Sequence, residues 1–475
     1  MLTLINTNRM RPPIAPIGVD YVAAAVRRAG FEVDVLDLCL DENALSHFDD
    51  HQPLLVGLSL RNVDDCFWPS ATSFLPQLGQ VVAELRRRTD APIVLGGVGY
   101  SIFARAIVEH TGADFGIRGD GEQAMVELLR ELQGRQRFEQ VSGLVWRDGD
   151  TLRVNPPAWP ADLHVPGDRD AVDNAAYFRL GGQIGLETKR GCPRKCIYCA
   201  DPLAKGATSR LRAPNDVADE FESLLRQGVD VLHLCDAEFN LPPQHALAVC
   251  DELITQGLGD RVQWYAYLTV VPFDATLAER MARAGCAGIN FTSDAAAESM
   301  LATYRQPHRR KHLAEAVRRC REHGIAVMLD MLLGGPGETP ETVAETIRAF
   351  KQFDPDCAGA ALGVRVYPDT AMATLVASEG AMEANPAIRR RYDGPVDLLQ
   401  PTFYISSQLG ERPAALVREL IGDDERFFPP EDETHAAVSD LAGDHNYNEN
   451  QALSDAIAAG ARGAYWDILR KLRQG

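Results

Sequence analysis

Gly191-Cys192-Pro193-Arg194-Lys195-Cys196-Ile197-Tyr198-Cys199 sets three cysteines in a C-x3-C-x2-C array just after a strand-like stretch, Gly185 to Lys189. Three thiolates can hold three corners of a four-iron cluster and leave the fourth iron without a ligand from the motif. An open iron can bind the amino and carboxylate groups of a small molecule. The competing assignment is a structural zinc knuckle. Zinc sites pair two short cysteine or histidine arms, and the chain offers no second cysteine arm of that spacing.

Outward from the array, strand patterns recur after helical ones: Gly185 to Lys189, Val229 to Cys235, Val262 to Leu268, Ala287 to Phe291, Ile325 to Leu333 and Ala360 to Val366. Six such units predict a partial (β/α)6 barrel. Val217, Phe221, Leu224 and Leu225 give its first helix one apolar stripe, which stops at Gly228. Functional residues of parallel barrels gather at the carboxyl ends of the strands, and the cysteine loop follows the first strand.

Upstream, Leu2 to Asn6, Glu32 to Leu38, Leu54 to Leu60 and Ile93 to Leu95 read as strands, with Gly18 to Gly30 and Phe74 to Arg88 as helices between them. Alternation of this kind predicts an α/β fold with a doubly wound, Rossmann-like parallel sheet, whose ligand sits beyond the carboxyl ends of the strands. The loops there are a proline-rich segment from Arg9 to Gly18, then Ser59-Leu60-Arg61-Asn62, Gly96-Gly97-Val98-Gly99 and Gly119-Asp120-Gly121-Glu122. Each alone is equally a tight turn; glycines in all of them let backbone approach a large ligand. Residues 136–184, with prolines at 156, 157, 160 and 166, read as a hairpin and a traversing linker. The domain plan is therefore 1–135, 136–184, 185–370 and a C-terminal cap, 371–475. In the cap, Pro386 to Tyr392, Ala414 to Gly422 and Ser454 to Arg473 read as helical and Thr402 to Ser406 as extended; Arg389, Arg390 and Arg391 read as a solvated face.

With 45% hydrophobic and 24% charged residues among 475, the composition is that of a globular protein. A formal net charge of −19 disfavours a phosphate-tracking surface, so nucleic acid is not expected as a partner. No run approaches the roughly 20 apolar residues of a membrane span. The seven cysteines outside the array lack paired spacing and read as buried thiols of a reducing compartment, the cytoplasm.

The cysteine array, with Tyr198 before its last cysteine, resembles the cluster loop of the radical S-adenosylmethionine superfamily. That resemblance implies a 4Fe-4S cluster on Cys192, Cys196 and Cys199. It further implies an S-adenosylmethionine site: Asp236-Ala237-Glu238 for the methionine amino group, Ser293 and Asp294 for the ribose and methionyl portions, and Arg305 for the carboxylate. Gly334-Gly335-Pro336-Gly337-Glu338-Thr339 resembles the adenine-contacting turn. Read without the resemblance, each is a turn or a helix entry, Thr339 and Pro340 suiting an N-cap and first turn.

The N-terminal loops resemble the cobalamin-binding domain that precedes many such cores. That implies cobalamin contacts at Ser59, Arg61, Asn62, Gly96, Gly97, Gly99, Gly119 and Glu122. Residues 1–135 lack the D-x-H-x-x-G stretch that supplies a histidine below cobalt. Arg61, after the third strand, is either the residue beneath the corrin instead or, with Asn62, only closes a turn or bonds the backbone. Together the resemblances imply a cobalamin-dependent radical enzyme that methylates an unactivated carbon of a small-molecule or peptide substrate, fed by a flavodoxin- or ferredoxin-type electron donor. Cyclisation, rearrangement or coupling without methyl transfer, with or without cobalamin, stays open, as does a non-enzymatic sensor. No general base is identified.

Overall fold

The computed structural model describes residues 1–431 and 450–474, apart from 162, 164 and 166; Pro166 of the expected linker and part of the expected cap lie outside the described residues. The N-terminal sheet contains β1 (Leu2–Asn6), β2 (Val33–Asp37), β3 (Leu55–Ser59), β4 (Ile93–Gly96), β5 (Phe115–Ile117), β6 (Leu144–Asp148) and β7 (Thr151–Val154) in the order β2-β1-β3-β4-β5-β6-β7. The first five are parallel, with Leu2 opposite Val33 on one side and Leu55 on the other. The expected hairpin, β6 and β7, is antiparallel and extends this sheet past β5 rather than standing in the linker.

Alternation along the strands divides the core. Leu4 and Leu55 pack under helices Ile17–Arg28 and Gly121–Gln133, while Ile5, Val56 and Leu58 pack under Leu75–Arg88 and Ala104–Thr111. A sheet buried on both faces is what near-continuous apolar strands require. Strand order reverses between β1 and β3, which opens the crevice that doubly wound sheets use for ligands.

The core sheet begins with β8 (Gly185–Leu186); β9 (Lys189–Arg190) and β10 (Arg210–Leu211) form a short antiparallel pair flanking the cysteine loop. Next come β11 (Val231–Leu234), β12 (Gln263–Leu268), β13 (Cys286–Asp294), β14 (Ala326–Leu333) and β15 (Cys357–Leu362). Beyond them lie β16 (Val364–Arg365), β17 (Ile388–Arg390), β18 (Thr402–Tyr404) and β19 (Phe427–Phe428). β8, β11 to β15 and β19 make one parallel sheet in sequence order, an open barrel wall whose seventh strand comes from the C-terminal region.

Two expectations are corrected here. The run Ala360 to Val366 is not one strand: Gly363, at φ +96°, turns the chain so that β16 joins a separate antiparallel sheet with β17 and β18. Pro386 to Tyr392 is not helical, because cross-strand pairing of Ile388 to Arg390 with Thr402 to Tyr404 overrides the weak helical preference of its arginines. Arg391 is not simply solvated either; it donates to the Pro69 carbonyl at 2.7 Å and lies over Trp68, tying the cap to the N-terminal domain.

The last helices, Gln451–Ala458 and Tyr465–Gln474, do not form a lid over the barrel. Ile457, Trp466 and Ile468 pack with Tyr265, Met328 and Cys357 on the strand face opposite Trp264, and Tyr265 donates to Asp467 at 2.8 Å. They plug the inside of the barrel below its carboxyl ends. Among the described residues, no helix is long and apolar enough to cross a membrane.

Candidate functional site

The cysteine loop is held by backbone. Gly191, at φ +82°, makes the turn out of β9, where a Cβ would fall 2.1 Å from the Thr208 carbonyl. Cys192 N–H donates to Gly206 at 3.1 Å and Ile197 N–H to Tyr304 at 3.4 Å. All three cysteines are unpaired thiols. Burial, with help from neighbouring carboxylates and from each other, pushes them up, Cys196 to about 12. They stay neutral until a metal replaces the proton, so the donor set suits a thiolate-bound cluster.

Residues expected around S-adenosylmethionine fall into two groups. Tyr198, Glu238 and Asp294 converge on the loop: Tyr198 donates to Asp294 Oδ2 at 2.6 Å, and Thr292 donates to Glu238 Oε1 at 2.8 Å. Glu238 Oε2 is buried without a partner, and burial raises the carboxyl to about 8. Asp294 sits at a break in the β13 register with φ +58°, which turns its carboxylate across the strand end; burial raises it to about 6 although Tyr198 and Gln306 donate to it.

The remaining three are placed otherwise. Asp236 faces back into the scaffold, accepting from Thr188 N–H at 2.8 Å, from the Thr188 hydroxyl and from Lys189 N–H at 3.2 Å. Ser293 donates to the Asp330 carbonyl at 2.6 Å. Arg305 is exposed, and its neighbour Gln306 reaches the loop instead, donating to Asp294 and lying 3.4 Å from Cys196 Sγ. Nothing in the local pattern distinguishes Gln306; a positive φ at Arg305 swings the chain to put it there.

The Gly334 to Glu338 turn closes on itself. Glu338 Oε2 accepts from the N–H groups of Gly334 and Gly335, and burial raises this carboxyl to about 7. Gly335 is obligatory, since a Cβ would fall 2.2 Å from Tyr304 Oη; Pro336 and Gly337, at φ +77°, complete the turn.

Between the two sheets lies a cavity of about 370 Å³. Ser59, Arg61, Asn62, Gly96, Gly97, Gly119 and Glu122 line its N-terminal side, and Cys235, His233 and Tyr267 line the core side. A Cβ on Gly96 or Gly18 would meet nothing within 4 Å, so both glycines open onto the cavity as a cradle for a large ligand. Arg61 is exposed, donates from its guanidinium to Asn62 Oδ1 at 3.4 Å, and acts electrostatically on Cys235, Tyr267 and Tyr465. Tyr267, 44% exposed at the end of β12, is a cavity residue that strand periodicity alone did not separate from the core. Cys235 is half-buried and Cys66 exposed, so these two are not the buried thiols expected.

One cobalamin expectation is corrected. Gly99 is not at the cavity; its N–H donates to the Arg61 carbonyl at 2.9 Å, and a Cβ would lie 2.8 Å from Asn62 backbone. Glu122 lines the cavity and is at the same time held by Arg190, whose Nη1 and Nη2 donate to it at 3.0 and 2.6 Å. Arg190 also donates to Glu187 at 2.7 Å. Burial alone would raise Glu187, but Arg190 and Lys205 override it and hold the carboxyl at about 2. The residue before Gly191-Cys192 is thus bolted to the first turn of a helix of the other domain.

The glycines make separable predictions. Gly96→Leu should keep the fold, because its backbone is unrestricted, and should weaken cobalamin retention by about tenfold or more by filling the cavity. Gly99→Ala should instead lower the unfolding free energy by about 1–3 kcal/mol through overpacking. Equilibrium dialysis and urea melts of both variants check this, and equal cobalamin retention in Gly96→Leu and wild type would refute the cradle.

Comparison with known proteins agrees with this geometry. Residues 186–350 match the Radical SAM superfamily and residues 4–129 the B12 binding domain. The chain is 30% identical to tryptophan 2-C-methyltransferase of Streptomyces laurentii, over 98% of this chain and 95% of that protein. It superposes with TM-score 0.91 and 30% identity on the radical S-adenosylmethionine methyltransferase TsrM of Kitasatospora setae, solved with tryptophan substrate and a S-adenosylmethionine analogue, covering 100% of this chain and 98% of that one. The same enzyme with cobalamin and a [4Fe-4S] cluster superposes with TM-score 0.89 at 29% identity, covering 100% and 99%. With both domains matched and the likeness running from end to end, the chain belongs to the cobalamin-binding radical S-adenosylmethionine methyltransferases.

Proposed function

We propose that this methyltransferase acts on a carbon of tryptophan or of a closely related indole amino acid. The observation that carries this is the reach of the likeness: 98% of this chain aligns with a tryptophan 2-C-methyltransferase, including the C-terminal segment that plugs the barrel beneath the cavity. The likeness to anaerobic magnesium-protoporphyrin IX monomethyl ester cyclase of Cereibacter sphaeroides covers 72% of this chain and 57% of that protein, so the ring-closing alternative has less support.

When bound, the cluster with S-adenosylmethionine supplies one-electron and methyl-donor chemistry, and cobalamin supplies methyl transfer. The residues of this chain do the holding. Cys192, Cys196 and Cys199 would ligate the cluster, and Gln306, beside Cys196 Sγ, would orient that ligand. Glu238 and Asp294 present buried carboxylates suited to an ammonium or a ribose hydroxyl. The Gly334 to Glu338 turn would offer backbone to adenine. Ser59, Arg61, Asn62, Gly96, Gly97 and Gly119 would border cobalamin, with Arg61 below the corrin in place of a histidine. The plugging helices keep water from entering the barrel from below.

The substrate is a small molecule, the reductant a flavodoxin- or ferredoxin-type protein, and nucleic acid is not a partner, a reading the net charge of −19 supports. Ten thiols without a disulfide support a reducing compartment, the cytoplasm. The test is an anaerobic incubation of the reconstituted enzyme with S-adenosylmethionine, cobalamin and tryptophan, read by mass spectrometry and by proton NMR of the indole. Tryptophan methylated on carbon is expected. Consumption of S-adenosylmethionine with unchanged tryptophan and unchanged substituted indoles would overturn the substrate class.

A further inference from the structure

β9 places two cations in succession, and only one of them is neutralised by protein. Arg190 is bonded to Glu122 and Glu187. Lys189 is 1% exposed, and its ammonium has neither a hydrogen bond nor an ion pair among the described residues. No other lysine among them is buried to this class. An ammonium taken from water without an anion is strongly disfavoured, so such a group either loses its proton or faces a negative partner.

The neighbouring groups narrow what that partner is. Asp236 is already occupied by the backbone of Thr188 and Lys189 and by the Thr188 hydroxyl. His245 bonds the Thr188 carbonyl through Nε2 at 3.1 Å, and burial keeps it neutral. Lys189 acts electrostatically on Cys192, the first cysteine of the loop, on Glu238 and on His245. Neither Cys192 nor Glu238 is within ion-pair distance of it. The unpartnered charge is therefore buried beside the cysteine loop, three residues before Cys192, and a four-iron core bound by three thiolates is a net anion that gains a further negative charge on reduction.

We propose that Lys189 is the counter-ion of the iron-sulfur cluster and holds its reduction potential up. A fixed cation in a low-dielectric site favours the more negative, reduced form. The inference rests on the cluster assignment to Cys192, Cys196 and Cys199, and wild-type protein that retains no iron after reconstitution would refute that assignment rather than this one.

The test is a redox titration of wild type, Lys189→Arg and Lys189→Met, reconstituted to equal iron content, with titanium(III) citrate as reductant, mediators present and no S-adenosylmethionine. The reduced cluster is counted by electron paramagnetic resonance. At the potential where wild type is half reduced, the reduced-to-oxidised ratio of Lys189→Met should fall about tenfold, which is about 59 mV for one electron, and Lys189→Arg should stay near wild type. An unchanged ratio in Lys189→Met overturns the proposal. So does a change that appears only when S-adenosylmethionine is added, which would assign the ammonium to that ligand's carboxylate. If Lys189→Met retains no cluster, the cluster-free proteins decide: removing an unpaired buried charge should leave its melting temperature at or above wild type. A lower melting temperature would make Lys189 a scaffold residue and overturn the proposal.

Discussion

Cys196→Ser is expected to fold like the wild type yet retain less than about a tenth of its iron, because even changes outside the ligand shell of a metal site cost roughly 10–100-fold in affinity. Methyl transfer should fall below detection with the iron. The reason lies in how the loop is built. Backbone bonds from Cys192 to Gly206 and from Ile197 to Tyr304 fix the loop without help from any sulfur, so its shape should survive the loss of one thiol. The loop supplies only three thiols, and with one gone, two cannot hold a four-iron core. Cys320→Ser is the matched control: this thiol is fully buried beside apolar neighbours on the outer layer of the barrel, and its replacement should leave iron content unchanged. Iron and sulfide assays with far-ultraviolet circular dichroism separate the cases. A Cys196→Ser protein that keeps full iron would remove that cysteine from the ligand set.

The loop was readable in the sequence because its information is local. Three cysteines within eight residues, a glycine turn before them and a strand before that are all fixed by near neighbours. The parallel strands were readable for the same reason, since burial on both faces writes itself as an apolar run. Gly335 and Gly97 were also legible, because a close approach leaves only glycine acceptable. What the sequence did not show is what depends on partners far along the chain. Glu122 lines the cavity, but its partner Arg190 lies 68 residues away in the other domain. Asp236 sits at the right place after β11, yet Thr188 and Lys189, across the sheet, claim its oxygens. β17 contains two arginines, which favour helix weakly, and only the facing strand β18 makes it extended. Gln306 has no signal at all beyond its position after a residue with positive φ.

Arg169→Met should destabilise the protein by about 3–5 kcal/mol, the usual consequence of stripping one partner from a buried ionic cluster. Arg169 comes from the linker and its side chain has no exposure. It donates to Asp20 of the N-terminal domain and to Glu220 of the core at 2.7 Å each, and to the Gly185 carbonyl at 2.9 Å. Tyr21 also donates to Glu220 at 2.8 Å, and Arg212 faces its other oxygen at 2.7 Å. Methionine would fill much of the volume but leave Asp20 with one amide and backbone donors, and Glu220 with a single cation. The linker would then lose the group that fastens both domains to one point beside β8, the strand that leads into the cysteine loop. Arg27→Met is the comparison on the same helix as Asp20. Its pair with Asp170 is exposed by 39% and 74%, so its loss should be worth at most about 1 kcal/mol. Urea melts followed at two wavelengths would show Arg169→Met falling far below Arg27→Met, and equal midpoints would refute the clamp. Combining Arg169→Met with Asp20→Asn and Glu220→Gln should recover part of the loss, because the penalty belongs to the stranded carboxylates rather than to the missing guanidinium. Recovery of stability without recovery of methyl transfer would then show that the cluster fixes the cavity's geometry as well as the fold.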